Sequence, residues 1–309
     1  MKRIFVLAVL LAAGGMSVAL PQAQPDPTAI HLEKLKDGLY LITGGLGANG
    51  IVSGNTTFFI GSEGVVLIDT KISGFGQDIL NQVRSVTNKP VTTVINTHTH
   101  GDHTGNNKSF PKTVEFVAHE NTLANMARMA DFKGGNAAFL PGKTYKDRMS
   151  LLTGKERIDL YYFGPGHTNG DTVIVFPALR VAVIGDLFSR KGAPLLDATG
   201  SAAAYPQTLA KAVSTLHDID MVITGHSTTT LGSGQNMTFA SYDPKMKWSD
   251  FQEYADFMGE FIAAADAARR AGKSVDEALA SLKLPAKFKD YSMLNAKAGI
   301  QRLYDESKR

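Results

Sequence analysis

Cysteine is absent from all 309 residues. That excludes a disulfide framework and a lipid-bearing cysteine. Basic residues are not gathered into blocks beyond Lys2 and Arg3, and the formal net charge is only +3. A nucleic-acid partner is therefore not expected, because it would need a concentrated positive face. Near the start, the uncharged run Ile4–Ala13 falls well short of the ~20 apolar residues that span a bilayer. What is present is ordinary for a globular chain: 43% apolar and 20% charged residues. A chain of this length can bury a core that needs no covalent staples.

The first residues read as an export signal. A basic start at Lys2 and Arg3 precedes the apolar run, and Ser17-Val18-Ala19 offers small residues for cleavage after Ala19, with Ala23 as a later site. The expected domain plan is a signal peptide over 1–19, a flexible lead-in over 20–30, a main domain over 31–240 and a helical extension over 241–309. Export places the mature protein in the periplasm or outside the cell, with no stable membrane insertion after cleavage. The pattern carries no oligomer signature.

Along the chain, strands are expected at 38–42, 49–53, 56–60 and 64–69, with glycine-bearing turns between them. A helix follows over 75–86, carrying Ile79, Leu80 and Val83 at helical spacing. Further strands fall at 91–96, 113–118, 158–163, 172–176, 179–184 and 221–224, and helices at 121–130 and 206–216. Residues 132–150 show no period and read as a loop or lid. From 245 to 271 the pattern is a long helix with Phe251, Tyr254, Phe257, Met258 and Phe261 at core spacing, and two short helices close the chain. Strands first, then strands alternating with helices, specify an α/β domain of mixed sheets covered by helices.

The chemistry is concentrated in histidines and aspartates. Three of the eight histidines, His98, His100 and His103, stand within six residues together with Asp102. Imidazole and carboxylate donors at that density suit zinc, and the same donors accept iron or manganese. The run follows the apolar stretch Val91–Asn96 directly, so a strand end would hold it. Gly101 is expected to relieve crowding in the turn. The same arrangement recurs: Gly166-His167 on a Gly/Pro loop, Gly185-Asp186 after Val181–Ile184, and Gly225-His226 after Met221–Thr224. A carboxylate directly after a buried strand is costly unless paired or metal-bound. Asp69, after Val65–Ile68, is expected to hold a ligand's far nitrogen or the ligand loop. His31, His119 and His217 read as ordinary surface or core histidines.

The run Thr97–His103 resembles the H-x-H-x-D-H signature of the metallo-β-lactamase superfamily, and Asp69, His167, Asp186 and His226 resemble its other motif positions in order. The resemblance covers roughly residues 36–230. It implies a four-layer αβ/βα sandwich of two mixed β-sheets flanked by helices, with the site at one edge. It implies two Zn2+ per chain: one on His98, His100 and His167, the other on Asp102, His103 and His226, with Asp186 bridging. It also implies a hydroxide shared by the ions as nucleophile, with Asp102 as proton carrier, in a metal-dependent hydrolase.

Departures from subfamily patterns narrow the reaction. The best-known β-lactamases of the superfamily have a cysteine at the position of Asp186, so a β-lactam substrate is disfavoured. The aspartate resembles glyoxalase II and lactonases, although Ser189 stands where quorum-signal lactonases carry a tyrosine. The expected substrate is a small ester, thioester, lactone or amide. Two alternatives stand beside this reading: a mononuclear-iron sulfur dioxygenase and a non-catalytic metal-binding or delivery protein. The glycine-rich stretch 44–54 is expected to cover the metals, residues 132–150 and 188–205 to frame the cleft, and Phe139, Tyr145, Phe188 and Tyr205 to offer apolar contacts.

Overall fold

The computed structural model describes residues 28–48, 50–231 and 238–308. The signal peptide and the lead-in up to residue 27 lie outside the described residues. The first sheet has seven strands in sequence order: β1 (Ile30–Lys36), β2 (Leu39–Gly44), β3 (Thr56–Ile60), β4 (Val65–Ile68), β5 (Val91–Ile95), β6 (Glu115–His119) and β7 (Lys143–Tyr145). Pairing is antiparallel from β1 to β4 and parallel from β4 to β7.

The second sheet contains β8 (Arg148–Leu151), β9 (Ile158–Tyr161), β10 (Val173–Phe176), β11 (Val181–Gly185) and β12 (Met221–Thr224). After the small hairpin of β13 (Thr228–Leu231) and β14 (Thr238–Ser241), β15 (Lys245–Lys247) joins it beside β12.

Period-two alternation divides each strand between two cores. In β4, Val66 and Ile68 face the second sheet, where they meet Ile174, Val183 and Ile223. Val65 and Leu67 face outward onto Ile79 and Val83 of α1 (Gly76–Arg84). On the far side, Val173, Ala182 and Val222 pack under α4 (Tyr205–Thr215) and α5 (Trp248–Arg270). Each fully buried Val, Leu, Ile or Phe contributes about 1.5–3 kcal/mol. The result is the expected helix–sheet–sheet–helix order. β4 and β11 are buried along their whole length, as strands with parallel neighbours and covered faces require.

Several local expectations change. Over 50–53 the chain is a loop, held by a single bridge between Leu46 and Val52 and by Gly47 N donating to Ile51 O at 2.9 Å. Residues 132–150 are no lid. They hold a 3-10 turn (Gly134–Phe139) and then β7 and β8, which carry the chain from one sheet into the other. These strands have three and four residues, too few to display a period. Beyond residue 240, β15 is a strand of the second sheet and α5 lies in the same core as Leu187 and Tyr205. α6 (Val275–Ala280) and α7 (Ala296–Glu306) complete that layer.

Candidate metal centre

Four strand ends meet at one edge of the sandwich. β4 delivers Asp69, β5 delivers Thr97 and His98, β11 delivers Asp186 and β12 delivers His226. A single turn of helix, α2 (Gly101–Thr104), swings Asp102 and His103 back toward them. Two glycines make the approach feasible. Gly185 has φ 59° and ψ −147°, a conformation essentially reserved for glycine. A Cβ on Gly225 would overlap the Asp186 carboxylate. Gly101 does not act as expected. The space around it is open, with nothing within 4 Å of where a Cβ would sit, and α2 itself turns the chain.

The seven donors converge in two groups. His98 Nε2 lies 3.1 Å from His100 Nδ1, which lies 3.0 Å from His167 Nε2. Across the site, His226 Nε2 is 3.2 Å from His103 Nε2 and 3.3 Å from Asp102 Oδ2. Asp186 stands between the groups. Its Oδ2 is 3.5 Å from His167 and 3.2 Å from His226, and its Oδ1 is 3.4 Å from His103.

The outer contacts of four histidines determine where their lone pairs point. His167 Nδ1 donates to the Leu195 carbonyl (2.8 Å) and His100 Nε2 to Asp197 Oδ2 (3.2 Å). His103 Nδ1 donates to Asp69 Oδ2 at 2.7 Å. Thr97 Oγ1 gives its one proton to Asp69 Oδ2 (2.6 Å), so it accepts from His98 Nδ1 (3.0 Å). Each ring therefore turns an unprotonated nitrogen inward, as metal-binding imidazoles do. Asp69 also accepts from Thr97 N at 2.8 Å, so one carboxylate holds both the ligand loop and a ligand ring.

The electrostatics favour a cation. Burial disfavours the charged form of His226, but Asp186 and Asp102 outweigh it and push this imidazole up to about 10. Burial likewise opposes the charge on Asp102, yet His103 and His226 bring it down to about 2. Asp186 Oδ1 is buried without a hydrogen-bond partner. Three imidazole nitrogens facing each other at 3.0–3.1 Å and an orphaned carboxylate oxygen make a cluster that could hold a metal ion. The residues fit the metal ions implied by the motif.

A model of the metallo-beta-lactamase superfamily matches residues 49–226, more than half of the chain. The chain belongs to the metallo-beta-lactamase superfamily. It is a metal-dependent hydrolase of that group, with a His/Asp cluster able to bind metal. Among curated relatives of this superfamily member, a metallo-beta-lactamase type 2 of Elizabethkingia meningoseptica is 27% identical over 73% of this chain and 88% of that protein. The 2,4-dinitroanisole O-demethylase subunit alpha of a Nocardioides strain is 29% identical over 55% of this chain and half of that protein. The fold matches a metallo-beta-lactamase from Pontibacter korlensis at TM-score 0.60 and 19% identity, covering 75% of this chain and 99% of that one.

In this superfamily member the donors open into a cleft of ≈ 330 Å³. His100, Asp102, Asp186 and His226 face it, while His98, His103 and His167 are buried behind them. Ile51 and Val52 of the glycine-rich loop form one wall, and Ser189, Arg190 and Leu195 another. The nominated aromatics are elsewhere. Phe139, Tyr145, Phe188 and Tyr205 are buried in the cores, and Tyr145 donates to Thr172 Oγ1 at 2.7 Å. They anchor the segments that carry them. His119 caps α3 (Glu120–Met126) and stacks on Tyr162, and His217 is exposed.

Four polar residues at or near the site escaped sequence reasoning. Asp197 orients His100 from a loop that has no periodic pattern. Arg190 lines the cleft, donates to Thr229 Oγ1 and keeps its buried Nε without a partner. Lys71, fully buried, donates from Nζ to the carbonyls of Gly44 and Gly54, both at 2.9 Å, and so ties down both ends of the glycine-rich loop. Asp171 accepts from Thr168 N and Oγ1 behind His167. Its position in Gly166-His167-Thr168-Asn169-Gly170-Asp171 was the one usable signal, a carboxylate closing the ligand loop.

Proposed function

We propose that the protein is a dinuclear zinc hydrolase acting on a small ester, thioester, lactone or amide after export to the periplasm or beyond the cell. The observation that carries this reading is the placement of Asp186 between two complete three-donor groups. When bound, a pair of divalent ions there would supply an activated water and a Lewis acid. His98, His100 and His167 would hold one ion, and Asp102, His103 and His226 the other.

The protein's own groups do the rest. Asp69, Thr97, Leu195 and Asp197 keep the imidazole lone pairs aimed inward. Asp102, partly exposed in the cleft, relays the released proton to solvent without retaining it. The intact second group disfavours the mononuclear-iron reading, and a delivery role gives no reason for a central carboxylate. Aspartate rather than a thiolate at position 186 keeps a β-lactam the less favoured amide.

The test is hydrolysis by the zinc-loaded protein across a β-lactam, an aryl ester, a lactone and a glutathione thioester, with His98→Ala as blank. Turnover of one class at least 100-fold above the blank supports the reading. Two bound ions without turnover of any class favour the delivery protein.

A further inference from the structure

The carboxyl-terminal helix reaches the metal centre without touching it. Arg302 on α7 donates from Nη2 to the carbonyls of Ala198 (3.0 Å) and Gly200 (2.5 Å). One turn later, Glu306 accepts from Ala202 N (2.9 Å), Ala203 N (3.0 Å) and Ser201 Oγ (3.0 Å), at the entrance to α4. Arg302 Nε and Glu306 Oε1 pair at 2.8 Å, with side chains only 19% and 16% exposed. This pair has exchanged most of its solvent for the loop spanning residues 195–204.

That loop is the rear support of one metal group. Leu195 O holds His167, and Asp197 holds His100. Asp197 N donates to His167 O, and Ser201 N to Gly166 O, both at 3.0 Å. Gly200 lies so close to His167 O that a Cβ would overlap it. Asp197 spends its other oxygen on Thr199 N, Thr199 Oγ1 and Gly200 N. The loop has no regular secondary structure before α4, so its position depends on such ties. The second group is held through Asp69, which accepts from His103 Nδ1, and through Thr224 Oγ1, which donates to His226 O at 2.8 Å, on elements that Arg302 and Glu306 do not bond.

We infer that α7 is a positioning element for the His98, His100 and His167 group, with Arg302 and Glu306 as its positioning residues. The helix lies beyond residue 226, where the superfamily match ends, so this support belongs to the chain's own carboxyl-terminal region. The inference rests on the metal-centre reading above. Direct partners of metal ligands, such as Leu195 O and Asp197 here, are worth about 10–100-fold in metal affinity; Arg302 and Glu306 act one contact further out, so their effect should be smaller.

The experiment loads the full chain with two equivalents of cobalt and withdraws the metal with increasing chelator. It compares wild type with Arg302→Ala, Glu306→Ala, Arg302→Lys and the same-helix surface control Gln301→Ala. The expected result is that one of the two ions leaves Arg302→Ala and Glu306→Ala about 3–10-fold more readily, less than the ~10–100-fold of a direct ligand partner, while the other leaves as in wild type. The retained ion should match the one that remains in His98→Ala. Arg302→Lys should fall between, and Gln301→Ala should match wild type.

Unchanged release in folded variants, or equal loosening of both ions, would overturn the inference and leave α7 a structural helix. If the alanine variants do not fold, Arg302→Lys and Glu306→Gln carry the same test: selective loosening of that one ion supports the inference, and any other result overturns it. A wild-type chain that takes up no cobalt would instead overturn the metal-centre reading, and the inference with it.

Discussion

Asp69 Oδ2 and His103 Nδ1 lie 2.7 Å apart, with both side chains buried. The carboxylate fixes the proton on the outer nitrogen and leaves the inner one as a ligand. Asp69→Asn would present an amide that can donate in the same place and so favour the other tautomer. Metal affinity at the Asp102, His103 and His226 group should fall about 10–100-fold, with a smaller effect on the other ion. Chelator titration of the zinc-loaded variant checks this, and equal retention of both ions would rule out the orienting role.

Glycine matters at position 225 and not at 101. Gly225→Ala puts a methyl group into the Asp186 carboxylate, which should displace the central ligand and lower turnover by about 100-fold or more. Overpacking of this kind costs about 1–3 kcal/mol of stability. Gly101→Ala meets open space in a helical turn, so turnover should hold and stability should stay equal or rise by up to ~1 kcal/mol. Side-by-side rates and melting temperatures decide both.

Lys71 makes stability depend on pH. Burial, partly opposed by nearby Asp69, brings its amine down to about 7 in the folded chain, against 10.5 for a free lysine. Between these values the unfolded chain binds more protons, so stability should rise with pH. Its contribution is fully present above 10.5 and is lost as pH falls through 7. Lys71→Met should flatten this part of the stability curve and cost about 2–4 kcal/mol, because the carbonyls of Gly44 and Gly54 lose their donor. Chemical denaturation at several pH values measures both effects.

Metal should act as a fold ligand. An ion present at a thousand times its dissociation constant stabilises the native state by about 4 kcal/mol. In a chain of this size that corresponds to roughly 6–7 °C in melting temperature. Stripping the protein with chelator should lower the melting point by about that amount, and zinc should restore it. An unchanged melting point would argue against tight binding.

The strands that build the site could be read in advance because each is a short, largely apolar or β-branched run bounded by Gly, by Asp69 or by the histidine cluster. Val65–Ile68, Val181–Gly185 and Met221–Thr224 carry their own punctuation. β7 and β8 could not be read, since Lys143–Tyr145 and Arg148–Leu151 are short and half polar. The four nominated aromatics failed for a different reason. Tyr145 and Tyr205 stand at the ends of β7 and α4, and Phe139 and Phe188 in short 3-10 turns, where too few residues repeat to show which side faces the core, and these four face the core.

Local order along the chain determined the donors: which residue types they are, that His98, Asp186 and His226 follow strands, and that a carboxylate lies among histidines. Such facts depend on spacing over a few residues, where backbone geometry is regular. Only the tertiary structure decided what stands behind the donors. Asp197 meets His100 across 97 positions, and Arg302 meets Gly200 across 102. Contacts at that separation depend on how irregular loops close once the two sheets have packed, and no periodicity in the chain encodes that closure.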